Sequence, residues 1–329
     1  MRVLFLGSGP FGIPALRRLH EGCSDLVVGT VPDARQGRNR QSSPCPLKAE
    51  ALKLGLEIFE TERLKGRSGT EFLQRTAADL VITADIRLIL GKSFISSVAL
   101  GCFNLHGSIL PRWRGAAPVV RALLAGDEEI GVSLYRMVPA LDAGPVVGVS
   151  RWTPPARVTG EEAEQYLSER AAELLMEHLP ALLAGQAELE EQDDAAATLA
   201  PKIDKLEGWV SWKKSAAEID RQIRAFDPWP RTRALFCSQG QEEGQAETLI
   251  LHKIRVESES GEHEFPGTVM EVVSEGILVS CGQGSVRIEC LQRAGKKPLE
   301  AADFLRGMPI APQDRFLDGP PPSKGGTGK

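Results

Sequence analysis

Phe103-Asn104-Leu105-His106-Gly107-Ser108-Ile109-Leu110-Pro111-Arg112-Trp113-Arg114-Gly115 is the stretch on which the reading of this chain turns. An apolar run from Val98 to Phe103 leads into it. If that strand continues through Leu105, Asn104 and His106 share one face, because successive strand residues point to opposite sides. Gly107 loosens the strand end, and Pro111, lacking a backbone donor, takes the chain out of the sheet. An amide and an imidazole therefore stand at the carboxyl end of a strand, where open α/β sheets form their ligand crevices. A lone histidine there is more often a hydrogen-bonded structural residue than a catalyst, so the surrounding signals must decide.

Upstream, Arg2 to Leu6 reads as a buried strand, and Gly7-Ser8-Gly9-Pro10-Phe11-Gly12 opens a helix whose apolar positions Ile13, Leu16 and Leu19 keep helical spacing. The glycines match a dinucleotide fingerprint, with Asp33 placed as a ribose-binding acid after a strand from Leu26 to Thr30. That raises an NAD(P)-dependent oxidoreductase using the Gly7-Gly9-Gly12 loop as an alternative. Pro10 inside the loop and Pro32 before the acid count against it, and the same turn serves a Rossmann-like sheet without a nucleotide. Helices over 46–54 and 72–77 and strands over 56–59, 79–84, 131–138 and 146–149 complete an α/β pattern with a mainly parallel sheet.

At 329 residues, with 42% hydrophobic and 25% charged side chains, the chain has material for two domains of ordinary size. A net charge of −5 is not the footprint of a protein that holds nucleic acid by bulk electrostatics, so any RNA contact must come from local basic patches. The six cysteines form no Cys-x-x-Cys pair, which suggests neither a disulfide framework nor a zinc ribbon. The apolar run at Met1 to Leu6 is too short for a signal sequence, and no run approaches the length of a membrane span. A cytoplasmic monomer is expected.

Thr159-x-x-Glu162 is a capping box for a long helix that fades near Gly185. Residues 1–188 are expected to form the first domain, and 189–207, acidic and alanine-rich, a linker. A second box, Ser215-x-x-Glu218, starts a helix ended by Asp227-Pro228-Trp229-Pro230. Short strands over 248–256, 267–273, 276–281 and 285–291 suit a small barrel, so 208–317 reads as a second domain. Gln292-Arg293-Ala294-Gly295-Lys296-Lys297 gives it a basic edge. Residues 318–329, rich in Gly and Pro, read as a disordered tail.

Asn104-x-His106-x-Ser108, followed by Leu110-Pro111-Arg112-Trp113-Arg114-Gly115-Ala116-Ala117-Pro118 and later by Leu141-Asp142-Ala143-Gly144, resembles the signature of the folate-dependent formyltransferases. The resemblance implies a Rossmann-like catalytic domain followed by a smaller OB-like β-barrel, with N10-formyltetrahydrofolate as co-substrate and no metal. It implies Asn104, His106 and Asp142 as the catalytic set, and Ser108, Ile109, Leu110 and Pro111 as the lining of the folate site.

The segment from Pro32 to Lys48, PDARQGRNRQSSPCPLK, reads as an exposed loop. It is similar to the insertion loop with which one branch of that family grips initiator methionyl-tRNA, and Arg221 to Pro230 resembles the same branch. RNA contacts are then expected from Arg35, Arg38, Arg40, Lys296 and Lys297, guanidinium groups being suited to phosphates and unpaired bases. The chain departs from the family pattern at Asn39, at Asp85-Ile86-Arg87 and at Pro145. A formyltransferase for an amino-sugar nucleotide and a non-catalytic RNA-binding relative are the alternatives.

Formyl transfer needs a donor for the developing oxyanion, which a neutral amide supplies. It also needs a proton route between two nitrogens, which an imidazole beside a carboxylate supplies.

Overall fold

The structure, a computed structural model, describes residues 1–36, 41–242 and 245–320, without the side chains of 34–36 and 41. Two compact units emerge. The first comprises Met1–Ala122, Glu128–Pro155 and Glu162–Pro201, the second Leu123–Asp127, Ala156–Glu161 and Lys202 onward.

Three short, mainly apolar runs build the middle of the first unit. They are β1 (Val3–Gly7), which leads to α1 (Ile13–Gly22), then β2 (Leu26–Thr30), and further along β6 (Leu80–Ala84). All their residues are buried, as expected of parallel strands covered on both faces. Between β2 and β6 lie β3 (Ala34–Gln36), β4 (Gln41–Ser43), α2 (Pro46–Lys53), β5 (Glu57–Glu60) and α3 (Gly66–Thr76). After β6 come α4 (Lys92–Ser97), β7 (Cys102–His106), β8 (Arg114–Gly115), α5 (Pro118–Ala125), β9 (Ile130–Arg136), β10 (Val146–Trp152), α6 (Gly160–Ala184) and β11 (Leu199–Ala200).

The sheet order is β10-β9-β7-β6-β1-β2-β5. The five strands from β5 to β7 run parallel, and β9 and β10 are added antiparallel. The chain moves outward from β1 through β2 to β5, then returns to the other side of β1 to lay down β6 and β7. That reversal opens a crevice at the carboxyl ends of β1 and β6, beside the end of β7. Its core includes Leu4, Leu6, Val27, Phe72, Val81 and Phe94.

Part of the segment expected as a plain loop, 32–48, pairs as an antiparallel ribbon of β3 with β4, which the segment's lack of apolar periodicity does not signal. The segment expected as a linker also carries structure. β11 pairs in parallel with β8, Leu199 opposite Arg114 and Ala200 opposite Gly115.

In the second unit the capping box forms as expected. Ser215 and Glu218 bond each other's backbone at the start of α7 (Ala216–Ala225). Then follow β12 (Thr232–Cys237), β13 (Glu247–Glu262), β14 (Val269–Val273), β15 (Gly276–Ser280), β16 (Gln283–Arg293), β17 (Leu299–Glu300), α8 (Ala301–Gly307) and β18 (Arg315–Leu317). The antiparallel order β14-β15-β16-β13-β12-β18 curls until its ends meet. Thr268 bridges Arg315, and the Phe316 N–H donates to the Gly267 carbonyl at 2.7 Å. This barrel closes on Trp212, Phe236 and Phe316, the Phe316 ring lying 5.3 Å from each of the other two.

No helix among the described residues is long and apolar enough to cross a membrane.

Candidate active site

Strand register sets the first three polar groups of the site. Asn104 lies opposite Thr83 of β6 on one side and Tyr135 of β9 on the other, so the three side chains form one row across the sheet. The Thr83 hydroxyl donates to Asn104 Oδ1 at 2.5 Å, and Asn104 Nδ2 donates to the Tyr135 hydroxyl at 3.4 Å. His106 follows two residues along the same face and is buried. Its Nε2 lies 2.9 Å from the Trp113 carbonyl oxygen. A carbonyl only accepts, so Nε2 carries a proton and Nδ1 is the free nitrogen of the neutral ring.

The turn after β9 brings Asp142 to these groups. Its Oδ2 accepts the Gly115 N–H at 2.8 Å and lies 3.8 Å from His106 Nδ1, while Oδ1 accepts the Tyr135 hydroxyl at 2.7 Å. Burial, reinforced by the Asp142 carboxylate, pushes the Tyr135 phenol well above its ordinary range, and it stays protonated. The Tyr135 hydroxyl thus links Asn104 to Asp142, and His106 stands beside that carboxylate without a hydrogen bond to it, so the three residues named from sequence lie together.

Asp142 adopts a left-handed backbone, φ +49°, which costs a non-glycine residue about 1 to 2 kcal/mol. Gln192 offsets this. Its Nε2 donates to the carbonyls of Asp142 at 2.8 Å and Gly144 at 2.6 Å, and neutral bonds of this kind contribute about 1 kcal/mol each. The buried Arg114 guanidinium donates in turn to Gln192 Oε1 at 3.0 and 2.8 Å and pairs with Asp194 at 2.7 Å. Gly115, at φ +135°, has no room for a side chain, since a Cβ there would run into the Ala200 carbonyl.

The four residues expected to line a folate site form the exit from β7. Ser108 and Leu110 are buried, Ile109 and Pro111 half-buried. The Ser108 hydroxyl donates to the Arg112 carbonyl at 2.8 Å, and Ser133 ties the loop down by donating to the Ser108 carbonyl at 2.8 Å and accepting the Leu110 N–H at 3.0 Å. What this loop leaves for a ligand is backbone and apolar surface.

Of the expected RNA contacts, Arg38 and Arg40 lie outside the described residues, as does the side chain of Arg35. Lys296 and Lys297 are exposed on the turn between β16 and β17. Thr83, Tyr135 and Gln192 were missed from sequence. The only signal for Tyr135 was the strand phase it shares with the run toward Asp142, and Thr83 and Gln192 gave none.

The glycine-rich loop holds a carboxylate of its own. Asp85, at the end of β6, accepts the Ser8 and Gly9 N–H groups on its carbonyl, at 3.1 and 3.3 Å. Its side chain accepts the Phe11 N–H and lies where any Cβ on Gly9 would fall. Burial pushes the Asp85 carboxyl above its ordinary range, and its backbone and side chain together engage the donors and take up the space that would cradle a pyrophosphate.

The family model described as "Formyl transferase" matches residues 1–183, and that described as "Formyl transferase, C-terminal domain" matches 202–309. The protein named methionyl-tRNA formyltransferase from Methylobacillus flagellatus is 37% identical over 318 residues, 96% of this chain and 99% of that one. Its namesake from Nitrosococcus oceani is 37% identical over 312 residues, 94% of each chain.

Among solved structures, a sugar 3N-formyl transferase, WlaRD, determined in the presence of dTDP and 5-N-formyl-THF, shares the fold. It has a TM-score of 0.64 at 15% identity, covering 90% of this chain and 99% of that one. HypX from Aquifex aeolicus in complex with tetrahydrofolic acid gives a TM-score of 0.57 at 19% identity, covering 93% and 47%. With both family models matched in order and relatives aligned almost end to end, the chain belongs to the formyl transferase family.

Proposed function

We propose that this protein transfers the formyl group of N10-formyltetrahydrofolate to the amino group of initiator methionyl-tRNA, releasing tetrahydrofolate. The observation that supports this most is the meeting of Asn104, His106 and Asp142 at the carboxyl end of the sheet, in a chain 37% identical to relatives named for that reaction. The methionyl amine attacks the formyl carbon, and the carbonyl electron pair moves to oxygen. Asn104 has a second Nδ2–H beyond the one given to Tyr135, and it donates this to the oxyanion, a contribution worth roughly 3 to 4 kcal/mol where such donors have been removed.

His106 Nδ1 takes the amine proton. The imidazolium so formed sits beside Asp142 Oδ2, which stabilises it. Collapse of the intermediate breaks the bond from carbon to N10, and His106 returns the proton to that nitrogen. Residues 1–188 carry this chemistry. The barrel in 208–317 holds the tRNA, with Arg35, Arg38 and Arg40 at the acceptor end and Lys296 and Lys297 on the barrel edge. The cytoplasm, where both substrates are made, is where it acts.

Transfer of labelled formyl to charged initiator tRNA tests the reading. Formylated methionyl-tRNA is expected, whereas turnover of an amino-sugar nucleotide with none of tRNA would refute it.

A further inference from the structure

Tyr135 belongs to none of the sequence motifs, yet its hydroxyl joins the two halves of the site. A phenol has one proton. Asp142 Oδ1, at 2.7 Å and charged, claims it over any neutral acceptor. Toward Asn104 the same oxygen can therefore only accept, so the amide must turn its NH2 end to β9 and its carbonyl to Thr83, whose hydroxyl donates at 2.5 Å. Were the amide reversed, its carbonyl would face an oxygen with no proton to give. Burial keeps the phenol protonated across the neutral range, so the arrangement holds wherever the protein works.

We infer that Tyr135 is a positioning residue that dictates which end of the Asn104 amide faces β9 and holds one oxygen of Asp142, leaving the other to Gly115 and His106. The inference rests on Asn104 as the oxyanion donor. Its chemical core, the orientation of one amide, is measurable without any substrate.

The chain has only two asparagines, Asn39 and Asn104, so protein labelled with 15N-asparagine shows two side-chain amide pairs, assigned with an Asn39→Ser variant. Tyr135→Phe keeps the ring and removes the hydroxyl. The Asn104 pair is expected to shift and lose its exchange protection while the Asn39 pair stays in place; an Asn104 pair superimposable on that of the parent would overturn the inference, whatever the substrate proves to be. With methionyl-tRNA and formyl donor, kcat is expected to fall roughly 10- to 100-fold, less than on removing an oxyanion donor itself, with both KM values within about twofold. A kcat within about twofold of the parent, or a loss carried by KM, contradicts it. If Tyr135→Phe does not fold, Thr83→Val removes the donor at the other end of the same amide and is expected to give the same kcat loss and signal shift. A parent enzyme that formylates no tRNA removes the functional reading, and the amide signals still decide this one.

Discussion

Asp142 Oδ2 stands 3.8 Å from His106 Nδ1, too far for a hydrogen bond and close enough for a carboxylate to stabilise an imidazolium. Both oxygens of Asp142 already hold hydrogen bonds, from Tyr135 and from the Gly115 N–H. The carboxylate is therefore fixed from two sides before any substrate arrives, and the imidazole is the group left free to exchange a proton.

The turn carrying Asp142 should be sensitive to Gln192. Gln192→Ala removes two bonds to the strained turn and is expected to lower kcat roughly tenfold with a small change in KM, since it acts on placement of the reacting groups. Asp194→Ala should do much less. Its partner Arg114 is buried but Asp194 is 81% exposed, and such pairs contribute at most about 1 kcal/mol. Steady-state kinetics of the two variants side by side checks this; equal effects would mean the ion pair, not the amide, holds the turn.

Reduced nicotinamide should not bind. Asp85 fills the glycine-rich loop with a carboxylate, so titration with the reduced dinucleotide is expected to leave its fluorescence unchanged. Saturable enhancement would revive the dehydrogenase alternative.

How much of this was legible in the sequence varies with the range of the interaction. The strands at Val3 and Leu26 announce themselves as short apolar runs and that at Leu80 by its β-branched residues, and the Ser215 capping box is legible in four residues. β12 and β18 are harder to see in the sequence, one following Asp227-Pro228-Trp229-Pro230 and the other only three residues long beside a polar tail. Tyr135 gained its role from register alone, since an antiparallel β9 beside β7 places it opposite Asn104. Gln192 lies in an acidic, alanine-rich stretch with no periodicity, and what gives it meaning is the pairing of β11 with β8.

The Tyr135 phenol offers a stability measurement. Its proton affinity is raised on folding, so its contribution is fully present below about pH 10, the unfolded value, and is lost as pH rises toward the higher folded value. Chemical denaturation is expected to show stability falling above about pH 10 in the parent and falling less in Tyr135→Phe. In a Tyr166→Phe background, which leaves Tyr135 as the single tyrosine, the phenolate band should be absent at about pH 10. A normal phenolate titration in folded protein would place Tyr135 in contact with solvent.

The central claim is that Asn104, His106 and Asp142 act together on a formyl group passing to methionyl-tRNA. Single-turnover formylation of charged initiator tRNA by the parent, Asn104→Ala, His106→Ala and Asp142→Asn, each checked for an unchanged melting temperature, tests it most directly. Each variant is expected to lose roughly 100-fold or more in rate. Asp142→Asn is included because an amide cannot accept from both Tyr135 and Gly115 while its NH2 faces one of them. A parent that formylates the tRNA while all three folded variants keep its rate would contradict the claim.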